Sequence, residues 1–168
     1  IARTRWTRFH LNPTDLSLSP EPPAEGQVEL DALGDGVTFT SAPLEGETEI
    51  TGPSAARLVV SSSTADADLF LVLRVFDPDG EEVVFQGAID PHTPISQGWL
   101  RASHRKLDPS LSTDYRPYHT HDEKQPLTPG EAVVLDVEIW PTSIVVPAGH
   151  RIALTVRGKD YEYAGESG

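Results

Sequence analysis

A serine that follows a glycine–proline pair is the first residue of this chain that could do hydrolytic chemistry. Serine hydrolases of the α/β type hold their nucleophile in a G-x-S-x-G turn, which exposes the hydroxyl beside a histidine and two oxyanion donors. The nearest match, Gly52-Pro53-Ser54-Ala55-Ala56, lacks the second glycine and has a proline directly before the serine. We therefore predict no catalytic residue in this chain, and Ser54 is interpreted as part of a loop that enters a strand.

Histidines and aspartates are the remaining groups that could do chemistry, here as metal ligands. His119 and His121 are separated by one residue, a spacing that in a strand places both rings on one face and can chelate zinc. Pro117 and Pro126 flank the pair, so an exposed irregular loop explains it better. Four aspartates could offer oxygen ligands to calcium, but they do not follow the spacing of a calcium loop; they are Asp66, Asp68, Asp77 and Asp79. The prediction is no metal and no cofactor.

Short runs of alternating apolar and polar residues predict the elements that position these groups. Apolar side chains alternate along each run, which is typical of strands with one buried face. The sequence Asp77-Pro78-Asp79-Gly80 has the chemistry of a type I turn and predicts a hairpin between two of the strands. The predicted strands span residues 37–40, 48–50, 57–61, 68–76, 83–85, 98–104, 135–140, 144–146 and 151–157. No sustained helical period is present, so the fold class is all-β, a sandwich or barrel, and eight strands would suit a jelly roll.

Proline and glycine divide the chain into an arm and a sandwich within one domain. Residues 1–36 contain Asn12-Pro13, Ser19-Pro20 and Glu21-Pro22-Pro23 before three glycines, a composition that disfavours helix and central strand. We therefore expect an extended N-terminal arm or linker over residues 1–36, packed on a β-sandwich over residues 37–168. The chain starts at Ile1 and contains no methionine, which we interpret as a piece of a longer polypeptide.

Composition excludes several classes of partner. A net charge of −13, from 26 acidic and 13 basic residues, argues against a nucleic-acid ligand, which requires a clustered basic face. No apolar run approaches the roughly 20 residues of a membrane span. Cysteine is absent, so disulfides and thiolate metal sites cannot support the fold. Packing of the core must stabilise the domain.

Two tryptophans are candidates for contact with another surface. Trp140 follows inward-facing Ile139 in a strand, so its side chain is expected on the outer face. There it either covers the edge of the sandwich or docks against another domain, and docking is the interpretation that we favour. Trp99 precedes Leu100 and is predicted to be buried beside it.

Seven short motifs, in order along nearly the whole chain, resemble the C-terminal domain of X-Pro dipeptidyl-peptidases and cocaine-esterase-like acyl esterases. Each motif is weak alone, but seven in register are specific. The motifs are LSPEPP (18–23), DGVTFT (35–40), EITGP (49–53), GWLRASHR (98–105), LTPG (127–130), WPT (140–142) and AGHRI (148–152).

The resemblance implies a jelly-roll, galactose-binding-like sandwich that packs against an α/β-hydrolase domain and a helical cap. The catalytic triad of such enzymes lies upstream, so the implied role here is a non-catalytic accessory domain that braces the hydrolase and can aid dimerisation. The whole enzyme would transfer an acyl group to water, and the resemblance implies a bacterial or archaeal cytoplasmic protein. The family usually has a longer loop where this chain has only residues 31–34, which argues against substrate contact from this domain. A carbohydrate-binding module is the alternative, and a metallohydrolase that uses His119 and His121 is a third hypothesis.

Overall fold

The computed structural model describes residues 4–87 and 90–163, and within these ranges the regular structure is nine strands and one short 3₁₀ helix. The 3₁₀ helix spans Ala102–His104. The strands are β1 (His10–Leu11), β2 (Leu18–Ser19), β3 (Val37–Thr40), β4 (Thr48–Val60), β5 (Asp68–Phe76), β6 (Glu82–Val83), β7 (Ser96–Arg101), β8 (Val133–Val146) and β9 (Arg151–Arg157). The all-β fold class is therefore confirmed. The described residues contain no helix that is long and apolar enough to cross a membrane.

Two curved antiparallel sheets enclose the core. The first sheet has the order β3-β9-β5, and the far side of β5 pairs with β7 along most of its length and with β6 at its end. The second sheet consists of the long strands β4 and β8. A small pair, β1 and β2, lies in the arm. The inward side chains of both sheets form a large apolar cluster, which includes Leu71 on β5 and Leu135 and Val137 on β8, all fully buried, and Val75, Ile95 and Val146 form a smaller one. This arrangement is a β-sandwich, while the finer jelly-roll topology stays a prediction.

The sandwich is closed at one edge, where β7 of the first sheet abuts β8 of the second. Gly98 makes the approach possible: a Cβ atom at this position would lie only 2.8 Å from the carbonyl carbon of Glu138 and 3.0 Å from the Cα of Ile139. The Ser96 hydroxyl donates a short hydrogen bond to the carbonyl oxygen of Trp140. We call this β7–β8 contact the closed edge.

Strand bounds follow the alternation where a strand is regular and depart from it where a bulge interrupts the pattern. Strands β3 and β5 have the predicted bounds, and the predicted hairpin forms, with β6 paired antiparallel to β5. In its turn the Asp77 carboxylate accepts hydrogen bonds from the backbone N–H groups of Asp79 and Glu81, both at 2.9 Å. The division of 48–61 and of 135–146 into separate strands was wrong. The register shifts between Gly52 and Ser54, and both strands continue through this bulge.

The arm passes from the β1–β2 pair to β3 without further strand over residues 20–36. At its start the Trp6 ring stacks on Tyr115 at a centroid distance of 3.9 Å, and Leu18 is buried in the core cluster. The contacts show an arm attached to the sandwich, and the proposed boundary after residue 36 stays a prediction.

Candidate docking site

Two tryptophans lie side by side on the outside of the closed edge. The ring centroids of Trp99 and Trp140 are 4.9 Å apart and their planes are tilted by 49°. Their side chains are 50% and 59% exposed, whereas the next residue inward on each strand, Leu100 or Ile139, is buried. Side chains of a strand alternate between faces, which places both rings on the outer surface. We call these two residues the tryptophan pair.

The predicted burial of Trp99 was wrong. Burial of Leu100 on the inner face of β7 requires its neighbour Trp99 to point outward, and β8 is too close to leave an interior position for it. The outward position predicted for Trp140 agrees with its exposure. Sequence alternation alone was enough to place Trp140, while the contact that joins it to Trp99 depends on the approach of two strands that are distant in sequence.

Apolar and charged side chains continue the outer face of the second sheet away from the tryptophan pair. Val59 on β4 and Val134 on β8 are cross-strand neighbours and both are largely exposed. The next cross-strand pair on the same face is Arg57 and Asp136, whose side chains form a hydrogen-bonded ion pair with an Nε–Oδ1 distance of 2.7 Å. An exposed ion pair contributes at most about 1 kcal/mol to folding. The surface therefore combines tryptophan rings, valines and a charge pair, as the core and rim of a docking surface do.

Three histidines come together on the loop after β7, but they form no metal centre. His104 and His121 approach within 3.3 Å through their Nδ1 atoms, and the His119 ring lies 5.9 Å from that of His121. Burial, followed by the neighbouring His121, lowers the pKa of His119, and its Nε2 atom has no hydrogen-bond partner. Within residues 4–87 and 90–163 no group of three metal-ligating side chains is arranged to hold an ion. The spacing of His119 and His121 indicated the pair, whereas nothing in the sequence indicated that His104 joins them.

Three of the four aspartates considered as calcium ligands, Asp66, Asp68 and Asp77, serve local structure. Asp66 accepts hydrogen bonds from the Ser103 hydroxyl at 2.6 Å and from its backbone N–H at 2.9 Å. Asp68 forms a bidentate ion pair with Arg101, at 2.7 and 2.8 Å. Asp77 caps the β5–β6 turn described above. These partners explain why the carboxylates are where they are.

The serine hydroxyls of the described residues are not arranged for nucleophilic attack. Ser54 lies within β4 directly after the bulge and pairs with Ile139, so it lies in a strand rather than in the entering loop that we expected. The hydrogen bonds of serine hydroxyls in the described ranges go to backbone groups, other hydroxyls and carboxylates, and none goes to a histidine ring. The described part of the chain thus shows no serine activated by a base.

Comparison with known proteins places this non-catalytic sandwich in a family. The model of the X-Pro dipeptidyl-peptidase C-terminal non-catalytic domain matches residues 2–167. The chain belongs to this family. Its members include domains of hydrolases, and the domain itself does not catalyse the reaction.

Relatives by sequence are much longer than this domain. A protein of Mycobacterium bovis named as a serine esterase is 34% identical over 128 residues, which is 74% of this chain and 19% of that protein. A Streptomyces avermitilis protein named as an Xaa-Pro dipeptidyl-peptidase is 27% identical over 154 residues, covering 73% of this chain and 21% of that protein. The domain therefore spans about a fifth of these relatives.

Solved structures show the same sandwich within larger hydrolases. A CocE/NonD family hydrolase from Staphylococcus aureus superposes with a TM-score of 0.87 at 26% identity, over 94% of this chain and 29% of that chain. An α-amino acid ester hydrolase shares the fold with a TM-score of 0.67 at 17% identity, over 93% of this chain and 29% of that chain. The predicted family and the non-catalytic role of this domain are thus confirmed.

Proposed function

We propose that this domain braces the catalytic domain of a serine hydrolase, of the acyl esterase or X-Pro dipeptidyl-peptidase type, and docks on it through the tryptophan pair. The parent reaction would be acyl transfer to water, carried out by an α/β-hydrolase domain of the same chain. The family supplies this link, because its relatives are hydrolases of which the domain is only a fifth to a third.

The observation that carries the docking proposal is the joint exposure of Trp99 and Trp140. Two adjacent indole rings, each at least half exposed, present a large apolar surface to water. Burial of such rings in an interface is strongly favourable, and tryptophans are enriched among residues whose loss costs 2 kcal/mol or more of binding. The exposed valines and the Arg57–Asp136 ion pair would surround the tryptophan pair in the interface and contribute less to the binding energy.

The geometry of the aromatic rings favours docking over sugar binding. A sugar platform presents coplanar rings, whereas the planes of Trp99 and Trp140 differ by 49°. Trp6 and Tyr115 are nearly parallel, at 11°, but they stack on each other, so each ring covers one face of its partner. The carbohydrate-binding alternative therefore has less support from the structure.

The test compares the thermal stability of two polypeptides, the 168-residue chain and the full-length hydrolase chain that carries it. We expect Trp140→Ser to lower the unfolding temperature of the domain in the full-length chain, because an interface contact is lost. It should change the 168-residue chain little, since the ring is already exposed there. Leu33→Ser is the matched control, because Leu33 is 79% exposed and lies on the arm.

Two results would contradict this role of the pair. One is an unfolding temperature of the full-length chain that neither Trp140→Ser nor Trp99→Ser changes. The other is an equal fall in unfolding temperature in the full-length chain and in the 168-residue chain, which would mean that the rings stabilise the domain itself. Saturable binding of a sugar to the 168-residue chain, abolished by either substitution, would support the carbohydrate-binding module instead. Dimerisation and a cytoplasmic location stay predictions, which sedimentation of the full-length protein and cell fractionation would test.

A further inference from the structure

The second sheet shows a steep change in burial from one strand to the other. On β8 the inward residues Leu135 and Val137 are fully buried. Their direct partners on β4, Leu58 and Ala56, belong to the same core but are only half-buried. Strand β8 has a neighbour on both sides, β4 and the abutting β7, whereas among the described residues β4 has a strand neighbour on one side only. The core is therefore incompletely covered beside β4.

A groove runs along the unpaired edge of β4. Every residue from 48 to 64 lines it, whichever face its side chain is on, so the groove exposes the edge of the strand rather than one face. Within the described residues β4 pairs only with β8, which leaves the backbone N–H and C=O groups of its other edge without a strand. Such an edge is a template for one more strand. The arm also lines this groove, with Leu11, Val28 and Leu30 among its residues.

We propose that the β4 edge receives an extended strand from the part of the hydrolase chain outside this domain, which completes the second sheet by β-augmentation. The inference rests on the proposed link to a catalytic domain. It adds a second contact, distinct from the tryptophan pair, in which part of the sandwich core is supplied by the rest of the enzyme.

The bulge defines where the added strand can pair. Pro53 lies between the two registers of β4 and has no N–H to donate, so it interrupts any ladder at that point. Residues 54–60 follow in unbroken register with β8. Along this stretch Ala56 and Leu58 face the core, while Ala55, Arg57 and Val59 face the outer surface of the sheet. The side chains of a strand added here would therefore alternate between apolar residues that pack toward Ala56 and Leu58 and residues that face outward.

Three possible occupants differ in how well they fit the groove. The arm lines the same groove with residues 4–11 and 23–32, yet none of its described residues forms a backbone hydrogen bond with β4. A second copy of the domain would bring together two chains of net charge −13 each, which opposes close edge-to-edge pairing. In the relatives four fifths of the polypeptide lies outside the matched region, tethered to this domain at high effective concentration. The tethered segment is the occupant that we infer.

Hydrogen exchange of backbone amides tests the proposal directly. The amides of residues 54–60 alternate between bonding to β8 and pointing into the groove. We expect the groove-facing amides to exchange at least about 100-fold more slowly in the full-length chain than in the 168-residue chain, because they gain hydrogen-bond partners. Amides of β9, paired on both sides in this domain, serve as the internal reference and should change little.

Two alanines provide a matched pair of variants. Ala56→Lys places a charge on the core-facing side of β4, where the added strand would bury its apolar residues, and should restore fast exchange of the groove-facing amides in the full-length chain. Ala55→Lys adds the same side chain on the outer face, opposite Glu138, and should leave the protection in place. Circular dichroism of both variants checks that the domain still folds. The comparison of the two unsubstituted chains remains decisive even if Ala56→Lys fails to fold.

Equal exchange of the groove-facing amides in the two chains would overturn the inference, whether or not Trp140→Ser destabilises the full-length protein. Protection that is already present in the 168-residue chain, together with a dimeric mass in light scattering, would assign the edge to a second copy and would also overturn it. Slow exchange in the full-length chain with no effect of Trp140→Ser would uphold the added strand and refute the docking role of the tryptophan pair.

Discussion

Replacement of Gly98 by alanine tests whether the closed edge depends on the near contact of two backbones. The added methyl carbon would lie 2.8 Å from the carbonyl carbon of Glu138 and 3.0 Å from the Cα of Ile139, and closer still to the Glu138 oxygen. All three atoms belong to the backbone of β8, so no side chain can rotate away. Strand β7 would have to move, because carbon atoms not bonded to each other pack at about 3.5–4.0 Å.

The cost follows from overpacking and from one lost hydrogen bond. Insertion of a methyl group into a packed interior costs up to about 3 kcal/mol. Movement of β7 would also break the hydrogen bond from Ser96 to the Trp140 carbonyl, worth about 1 kcal/mol. The total of about 4 kcal/mol corresponds to a fall of roughly 10 °C in unfolding temperature for a domain of this size.

Urea unfolding of the 168-residue chain, followed by tryptophan fluorescence, measures this loss. Gly46→Ala is the matched control, since a Cβ there meets nothing within 4 Å and the φ angle of Gly46 is not in the left-handed region. We expect the control to stay within about 0.5 kcal/mol of the unsubstituted chain, or to gain slightly. A Gly98→Ala variant as stable as the Gly46→Ala control would refute the argument that this edge needs the absence of a Cβ.

Three further predictions concern the core and two titrating groups. Leu71→Ala should cost about 2–5 kcal/mol of unfolding free energy in urea, because it opens a cavity in the core, while Val134→Ala, at an exposed position, should cost under about 1 kcal/mol. Burial opposes the charge of Asp66, but hydrogen bonds from Ser103 outweigh it and lower the pKa of the carboxylate below 3.8. A lowered pKa stabilises the fold above pH 4 and the gain is lost as pH falls through the folded value, so Ser103→Ala should cost about 1 kcal/mol at pH 7 and less at pH 3. For His119 burial itself lowers the pKa, because it opposes the positive charge of the protonated ring, so the ring protons should titrate below pH 6.5 in NMR and stability should fall as the pH drops below 6.5.

Alternation predicted the strands well where the backbone ladder is regular. In β5 the period of two continues without interruption from Asp68 to Phe76, and the structure has the same bounds. The gaps left between the predicted strands of β4 and β8 contain Pro53 and Pro141, but both lie at the bulge, where the register skips and no ladder hydrogen bond is required of them. A proline in sequence cannot distinguish a strand end from a bulge, because that depends on the partner strand.

The tryptophan pair shows which part of the candidate site can be predicted from the sequence. Trp140 could be placed because its neighbours Ile139 and Val137 fix the face of the strand. Trp99 obeys the same alternation, yet its apolar character favoured a buried position, and this preference was wrong. Trp99 and Trp140 are 41 positions apart in sequence and meet because β7 and β8 approach closely at Gly98. There is no room for a side chain at that position, which is evident only from the packing of the two strands.

The unpaired edge of β4 is a second feature that the sequence alone does not predict. Ala56 and Leu58 alternate with polar or outward residues as any half-buried strand does, so the sequence indicates burial without saying what completes it. In the structure these residues pack on the core cluster and pair with β8, and the groove lies along the other edge of their strand. Apolar positions that the described residues cover incompletely favour a partner that supplies the rest, because burial of their exposed surface contributes about 25 cal/mol per Å². For a domain of a longer enzyme, half-buried core positions beside an unpaired edge are thus a sign that the core is shared with the rest of the chain.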